Sequence, residues 1–389
     1  MKILMIGQLP SEVGGTYTTG VCNVVYELSR CSTIGIDLIV YATNISDNAA
    51  KRINGTTCYR GTLLRPYRVL FEMLMNPVKR FRQWWFYKKQ CHANFIHYEM
   101  YRDNIYRIIQ EEKPDIIHCM NLVQMSSAYF ANEKFNIPLI LTFHGVNKNN
   151  DTEAKSIVDM PDYTTCLTNE TLAEIIKRNY PKSRSIIIPN GVDTNKFYFC
   201  DEERRIVREN LGIDDITTVL LTVGSIQHRK GQYSFIQKLS SLGVDFKYKY
   251  ILIGRGPDEG KIRKYICDNG LEDKVIIIGY VANADLYKYY SAADVYIHGS
   301  YEEGQALSEV EAYATDLKIA LNKDVLRTVI TDTTNKNDYY VFDYNKFDSD
   351  AFVLWARNHR KKRISRKQYD WREIFKLYVA LYYKILSEK

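Results

Sequence analysis

Short apolar runs alternate with amphipathic helical stretches along most of the chain. Residues 2–7 and 36–41 are apolar runs of strand length, and the apolar positions between them recur at helical spacing. The same alternation returns in the second half, where strands are predicted at 217–223, 250–253, 275–278 and 293–298. Strands that alternate with helices predict parallel sheets of the α/β class. A chain of 389 residues is long enough for two such domains.

Residues 60–100 interrupt this alternation. Apolar side chains at spacings of three and four predict a helix with one aromatic face, formed by Phe71, Leu74, Val78, Phe81 and Trp85. Basic residues flank that face: Arg68, Lys79, Arg82, Lys88 and Lys89. Such a helix is typical of an interfacial membrane binder, although the same face could pack on the protein's own core.

The net charge of +7 is concentrated in two blocks. Residues 60–89 carry eight Lys or Arg against Glu72, and residues 357–372 carry eight against Asp370. This distribution favours an anionic partner surface, and without a recognisable nucleic-acid-binding module we expect a membrane. Eight scattered cysteines without a C-x-x-C pair argue against a zinc site and favour free thiols over a disulfide framework. We expect a cytoplasmic chain without a cleaved leader, peripherally bound to the inner face of the cell membrane.

A strand, a glycine-bearing turn and a helix follow each other at residues 293–314. Amide groups at such a turn and helix start are suited to bind a phosphate. Glu303 lies before the turn and Glu311 lies eight positions later on the helix. Because carboxylates accept hydrogen bonds from hydroxyls, the pattern suggests a sugar nucleotide. A surface helix with solvated glutamates would show the same pattern.

The stretch Glu303-Gly304-x-x-Leu307-x-x-x-Glu311 resembles the E-x(7)-E motif of the family 4 retaining glycosyltransferases, which have the GT-B fold. Similar motifs occur in order along the chain, namely P-N-G-V-D at 189–193, K-G at 230–231 and G-x-G-P at 254–257. The resemblance implies two Rossmann-like domains that face a cleft. We predict an acceptor-side domain at 1–195, a nucleotide-sugar domain at 196–368 and a helix at 369–389 that returns to the first domain.

The resemblance also implies roles for individual residues. Lys230 would stabilise the leaving diphosphate, Glu303 would orient the donor sugar, and Glu311 would hold the ribose. His144 follows a predicted strand at its carboxyl end and would hydrogen-bond a sugar hydroxyl, whereas His118 is expected to be structural. The turn amides of Gly304, Gln305, Ala306 and Leu307 would assist Lys230. The remaining predicted substrate-binding residues are Gly15, Thr16, Arg229, Gly254, Gly256, Tyr280 and Val281.

The chain departs from the family pattern at three positions. Ser225 stands where the family has an arginine, so the second diphosphate cation would have to be Arg229 or His228. Asp316 and Lys318 replace a usual glycine and a usual proline.

These expectations describe a retaining glycosyltransferase that needs neither metal nor cofactor. It would move a hexose from a UDP-sugar to a hydroxyl, on a lipid-linked glycan made for a cell-surface polysaccharide. Two alternatives stay open at this point. One is a non-catalytic GT-B protein that binds a sugar nucleotide or a partner glycosyltransferase, and the other is a nucleotide-sugar epimerase.

Overall fold

The computed structural model describes residues 1–31, 35–46, 52–53, 57–63, 67, 71, 74–78, 81, 95–145, 161–243, 245–328, 338–357 and 367–388. The chain divides into two compact domains. The first domain comprises Met1–Asn190 with Trp371–Lys389, and the second comprises Gly191–Asp370. These divisions lie a few residues from the predicted boundaries at 195 and 368.

The first domain contains a sheet of eight strands. They are β1 (Lys2–Gly7), β2 (Asp37–Ser46), β3 (Arg52–Ile53), β4 (Thr57–Thr62), β5 (Ile116–Cys119), β6 (Leu139–Phe143), β7 (Tyr163–Cys166) and β8 (Ser185–Ile187). Their order is β3-β4-β2-β1-β5-β6-β7-β8, and every neighbouring pair is parallel except β3 with β4. Burial on both faces explains why the central strands are continuous apolar runs rather than alternating ones.

The second domain contains a fully parallel sheet of six strands. They are β9 (Thr218–Val223), β10 (Tyr248–Ile253), β11 (Val275–Gly279), β12 (Val295–His298), β13 (Lys318–Asn322) and β14 (Tyr339–Phe342). The order β11-β10-β9-β12-β13-β14 is the doubly wound 3-2-1-4-5-6 arrangement. The strand order reverses between β9 and β12, which makes the carboxyl edge at these two strands the switch point where doubly wound sheets bind ligands.

Helices connect the strands of both sheets. In the first domain these are α1 (Gly20–Arg30), α2 (Phe95–Glu112), α3 (Leu122–Phe135) and α4 (Asn169–Lys177). In the second domain they are α5 (Asp201–Asn210), α6 (Gln232–Leu239), α7 (Glu259–Asp268), α8 (Leu286–Ala292), α9 (Leu307–Ala314) and α10 (Ser349–Arg357). The last helix, α11 (Trp371–Ser387), belongs to the first domain. In the described part of the chain, none of these helices has the length and apolarity needed to span a membrane.

His118 joins helix α11 to the first sheet. Its Nδ1 lies 2.8 Å from Tyr382 Oη, and its Nε2 lies 2.7 Å from Thr142 Oγ1. Burial lowers the pKa of His118 to about 3, with a smaller contribution from His144. The neutral imidazole therefore acts as a buried hydrogen-bonding bridge, as expected from the sequence.

Asp316 shows why the family has a glycine at this position. Its φ is 58°, in the left-handed region, where a residue without a Cβ has no steric penalty. Aspartate is among the few other residues that adopt this conformation with little cost.

The predicted aromatic face of residues 71–85 points to solvent where the structure describes it. The side chains of Phe71, Leu74, Val78 and Phe81 are 60–73% exposed, on helical backbone. The alternative that these four side chains pack on the protein's own core is therefore wrong. Trp85 and the flanking basic residues (Arg68, Lys79, Arg82, Lys88, Lys89) lie outside the described residues.

Arg60 does not contribute to a free basic surface. Its guanidinium lies 2.5 Å from Glu111 and 3.0 Å from Glu112, both on α2. These contacts tie β4 to α2 and neutralise one charge of the first basic block.

Candidate active site

Two loops meet at the switch point of the second sheet. The loop after β9 carries Lys230, and the loop after β12 carries Glu303. Lys230 Nζ lies 2.5 Å from Glu303 Oε1, which also accepts a hydrogen bond of 3.0 Å from Ser300 Oγ. Two side chains 73 positions apart thus form one polar centre where doubly wound sheets bind ligands.

Arg229 adds a second cation to this centre. Its Nη1 lies 3.1 Å from Glu303 Oε2 and donates a hydrogen bond of 2.6 Å to the Glu302 carbonyl. His228 instead stacks on Tyr301, with ring centroids 5.4 Å apart. Of the two residues considered as replacements for the missing arginine at Ser225, the structure therefore places Arg229 beside Lys230.

Glu303 is ionised in this environment. Burial alone would raise its pKa, but the positive charges around it outweigh burial and lower the pKa to about 2. Those charges belong to Lys230, His298 and Arg229, in that order of contribution. At pH 7 only Lys230 and Arg229 are charged, because burial lowers the pKa of His298 to about 4. The centre therefore consists of one carboxylate shared between two cations.

Glu311 lies one turn into α9, and a buried tyrosine orients it. Tyr290 of α8 donates a hydrogen bond of 2.8 Å to Glu311 Oε2, and its hydroxyl also lies 3.2 Å from the Ser308 carbonyl. Tyr290 is fully buried, and both its burial and the adjacent Glu311 carboxylate raise its pKa, so it remains a donor. Glu311 is thus held in one orientation while its side chain stays partly exposed.

The turn between the two glutamates is tightly packed. Gln305 and Ala306 are 7% exposed, and Ala306 is the N-cap of α9. The amides predicted to assist Lys230 are those of residues 304–307, and the last of these residues, Leu307, is the first residue of α9. The amide at the start of a helix has no acceptor within the helix. Gly304 directly follows Glu303 and begins this turn.

Gly254 and Gly256 lie where any side chain would clash with a neighbouring carbonyl oxygen. A Cβ on Gly254 would lie 2.0 Å from the Gly224 carbonyl oxygen, and one on Gly256 would lie 2.1 Å from that of Ile226. Gly254 also has a φ of 137°. These glycines let the loops after β9 and β10 approach each other closely, and the Ile226 amide donates a hydrogen bond of 2.9 Å to the Arg255 carbonyl.

Tyr280 and Val281 follow β11 at the same edge of the sheet. Tyr280 is 62% exposed, and Val281 is half-buried. Both lie at the carboxyl ends of the strands, where the resemblance puts the nucleotide base.

The predicted residues of the first domain lie at the corresponding edge of the other sheet. His144 follows β6 and hydrogen-bonds the backbone of Met120, after β5. Burial lowers the pKa of His144 to about 4, and its Nε2 is buried without a hydrogen-bond partner. A neutral imidazole with one free nitrogen is suited to bind a hydroxyl.

The Gly14-Gly15 loop follows β1. A Cβ on Gly15 would lie 1.9 Å from the Leu9 carbonyl oxygen, and its amide donates to Pro10 at 3.0 Å. The glycine is therefore required by the loop's own fold. Thr16, the next residue, is exposed.

Sequence reasoning missed two residues of the second-domain site. Tyr290 had no motif to reveal it, because its contact with Glu311 depends on how α8 packs. His298 is the last residue of β12, and a polar residue at the end of an apolar strand beside the glutamate motif was a usable signal. His298 is 3% exposed, and neither ring nitrogen has a hydrogen-bond partner.

Two family models match this chain. The model described as Glycosyltransferase Family 4 matches residues 18–196, and the model described as Glycosyl transferases group 1 matches residues 203–353. Together they cover most of both domains in the expected order. The chain belongs to the family 4 glycosyltransferases. The suspected resemblance is thus confirmed.

Curated relatives of this family 4 glycosyltransferase match parts of it. Alpha-monoglucosyldiacylglycerol synthase of Acholeplasma laidlawii is 30% identical over 142 residues, which cover 36% of this chain and 36% of that protein. The UDP-Gal:alpha-D-GlcNAc-diphosphoundecaprenol alpha-1,3-galactosyltransferase of Escherichia coli is 24% identical over 263 residues, 63% of this chain and 67% of that protein. The chain thus spans little more than a third of the first of these relatives.

A solved structure similar over the whole length is that of Anabaena HepE in complex with UDP. It has a TM-score of 0.73 at 15% identity and covers 100% of both chains. At this identity the likeness concerns the fold, and it confirms the predicted GT-B class.

Proposed function

We propose that this family 4 glycosyltransferase transfers a hexose from a nucleoside diphosphate sugar to a hydroxyl acceptor with retention of configuration. The observation that carries the proposal is the centre formed by Lys230, Arg229 and Glu303 at the switch point of the second sheet. It combines two cations for a diphosphate with an ionised carboxylate for sugar hydroxyls.

Lys230 has N–H donors available for the diphosphate. An ammonium group has three N–H donors, and the contact with Glu303 uses one of them. The other two can bind phosphate oxygens, so the negative charge that develops on the leaving group is stabilised without loss of the Glu303 contact. Arg229, 43% exposed, can rotate onto the same diphosphate.

The proposed reaction exchanges one bond at the anomeric carbon. The bond from C1 to the diphosphate oxygen breaks, a bond from C1 to the acceptor oxygen forms on the same face, and the acceptor proton passes to the departing diphosphate. Glu303 accepts hydrogen bonds from the sugar and fixes its orientation. His144 would bind a sugar hydroxyl through its free nitrogen.

The position of Arg229 favours an enzyme over a non-catalytic binding protein. In the sequence, the serine at position 225 and the altered segment after Glu311 supported a non-catalytic protein. Since Arg229 contacts the same carboxylate as Lys230, the centre still contains two cations.

We infer a UDP-sugar as the donor. The neighbouring HepE structure contains UDP, and the galactosyltransferase relative uses a UDP-linked sugar according to its name. The exposed edge residue Tyr280 and the oriented Glu311 supply surfaces for a base and a ribose.

We also infer a lipid-linked acceptor at an anionic membrane surface. The exposed apolar side chains of Phe71, Leu74, Val78 and Phe81 form a face suited to the headgroup region. The name of one curated relative gives a glycolipid, monoglucosyldiacylglycerol, as its product, and the name of the other gives a diphosphoundecaprenol-linked sugar as its acceptor.

Transfer assays with a panel of nucleotide sugars test the enzymatic proposal. Lys230→Met is expected to lower kcat about 10²–10³-fold, because one charge stabiliser of the leaving group is lost. Lys264→Met, which removes an exposed lysine of α7, is the matched control and should leave kcat unchanged. Full activity in excess chelator is expected. Loss of activity that magnesium or manganese restores would contradict the metal-free mechanism.

Sedimentation with anionic vesicles tests the membrane proposal. Replacing Phe71 and Phe81 with serine should release the protein into the supernatant, since the buried aromatic area is lost. Replacing the exposed Ile216 of the second domain with serine is the control. Wild-type protein that stays in the supernatant at low salt would refute the proposal.

A further inference from the structure

The loops that carry Lys230 and Glu303 are held together over a short stretch of backbone. Tyr301 N donates a hydrogen bond of 2.9 Å to the Arg229 carbonyl. Next to this bond, Gly231 and Gly299 approach so closely that a Cβ on Gly231 would lie 2.0 Å from the Gly299 carbonyl oxygen. The two loops therefore touch directly beside the polar centre.

A tyrosine from a third segment closes this contact. Tyr344, two residues after β14, directs its hydroxyl between the loops, 3.0 Å from the Gly231 carbonyl and 2.8 Å from the Gly299 carbonyl. Its ring packs on Tyr301, with centroids 5.2 Å apart. Tyr344 is buried, and burial raises its pKa, so the hydroxyl remains a donor at any physiological pH.

We propose that Tyr344 is a positioning residue that clasps the two loops and so sets the placement of Lys230 against Glu303. One hydroxyl proton is shared between two carbonyls, one directly after Lys230 and the other four residues before Glu303. The two charged side chains project from loops that are far apart in the sequence, since Gly231 and Gly299 are separated by 68 positions. Their separation therefore depends on contacts such as this one.

The clasp itself does not depend on the proposed function, but its consequence for catalysis does. Amide hydrogen exchange of the whole chain measures directly how often the clasped loops open. In Tyr344→Phe, amides of residues 226–231 and 299–305 are expected to exchange about tenfold faster, as loss of a net hydrogen bond allows more frequent local opening. The control is Tyr248→Phe, which removes a buried hydroxyl whose acceptor is the Leu239 carbonyl, 3.3 Å away.

A second variant uses the close approach at Gly299. A Cβ there would lie 2.4 Å from Tyr344 Oη, while its next neighbours are 3.5 Å or more away. Gly299→Ala should therefore accelerate exchange in the same two segments. In the Tyr344→Phe background the added methyl has room, so the second change should add little.

Kinetics then connect the clasp to the proposed transfer. Tyr344→Phe is expected to lower kcat about tenfold with less than about a threefold change in donor KM, because the charges that act on the leaving group are displaced. Tyr248→Phe should leave both constants unchanged.

Unchanged exchange in both Tyr344→Phe and Gly299→Ala would overturn the clasp, whatever the enzyme's activity. Faster exchange with kinetic constants equal to wild type would overturn the positioning role. A wild-type protein without transfer activity would instead contradict the proposed function, and exchange would still decide the clasp.

Discussion

Removing the Glu311 carboxylate should weaken nucleotide binding while the fold stays intact. In the proposed complex Glu311 accepts hydrogen bonds from two ribose hydroxyls, each worth about 1.5–3 kcal/mol when the acceptor is charged. Loss of even one of them corresponds to a factor of about ten or more in Kd. The fold should tolerate Glu311→Ala, since the Tyr290 hydroxyl keeps the Ser308 carbonyl as an acceptor 3.2 Å away.

Tyr290→Phe tests how the carboxylate is held. Without the 2.8 Å hydrogen bond, Glu311 regains rotamer freedom that binding must remove again, at about 0.5–1.5 kcal/mol. UDP affinity should therefore fall about twofold to tenfold. If Tyr290 acts only through Glu311, the double variant Tyr290→Phe/Glu311→Ala should bind as weakly as Glu311→Ala alone.

Isothermal titration calorimetry with UDP measures these affinities, and other nucleoside diphosphates serve if UDP does not bind. Tyr287→Phe is the matched control, because Tyr287 lies on the same helix and donates to a different carboxylate, Glu203, at 3.1 Å. Unchanged affinity in a folded Glu311→Ala protein would refute the assignment. A loss in Tyr290→Phe that persists in the Glu311→Ala background would refute the orienting role.

Three further predictions concern stability. Burial lowers the pKa of three histidines (those at 118, 144 and 298) below 6.5, so the unfolded chain binds protons that the folded one does not. The free energy of unfolding should therefore fall as the pH drops from about 7 towards 4, by roughly 1 kcal/mol per histidine and pH unit. Urea unfolding at several pH values measures this dependence, and a free energy that does not change with pH would contradict it. Gly254→Ala should cost at least about 2 kcal/mol because its φ is 137° and its Cβ meets a carbonyl oxygen, whereas Gly270→Ala, at a φ of 60° and with open space around it, should cost about 1 kcal/mol. Tyr382→Phe should destabilise the first domain by about 1–3 kcal/mol because buried His118 loses a partner, and the exposed neighbour Tyr383→Phe should not; equal melting temperatures would contradict this.

Much of the fold was readable from local patterns. Strands buried on both faces are continuous apolar runs, and β1, β9, β10, β11 and β12 were therefore recognisable without any partner. The spacing of Glu303 and Glu311 was equally local, because a glycine turn and one helical stretch determine where both carboxylates lie. The order of these motifs along the chain was enough to identify the family.

The contacts that complete the site depend on strand order and were not readable from the sequence. Whether Arg229 or His228 accompanies Lys230 depends on the path of a loop after β9 relative to a loop after β12. Tyr290 reaches Glu311 because α8 and α9 pack on the same sheet.

The glycines show the same distinction. Gly254 looked like part of a ligand-binding turn, whereas its immediate neighbour is the Gly224 carbonyl from another strand's loop. The His118 imidazole contacts Tyr382, which lies 264 positions later in the chain. Tyr344 contacts Gly231 and Gly299, which lie 113 and 45 positions before it. A local pattern specifies the conformation and the buried face of each element, but contacts between distant residues arise only when the sheet brings the ends of its strands to one edge.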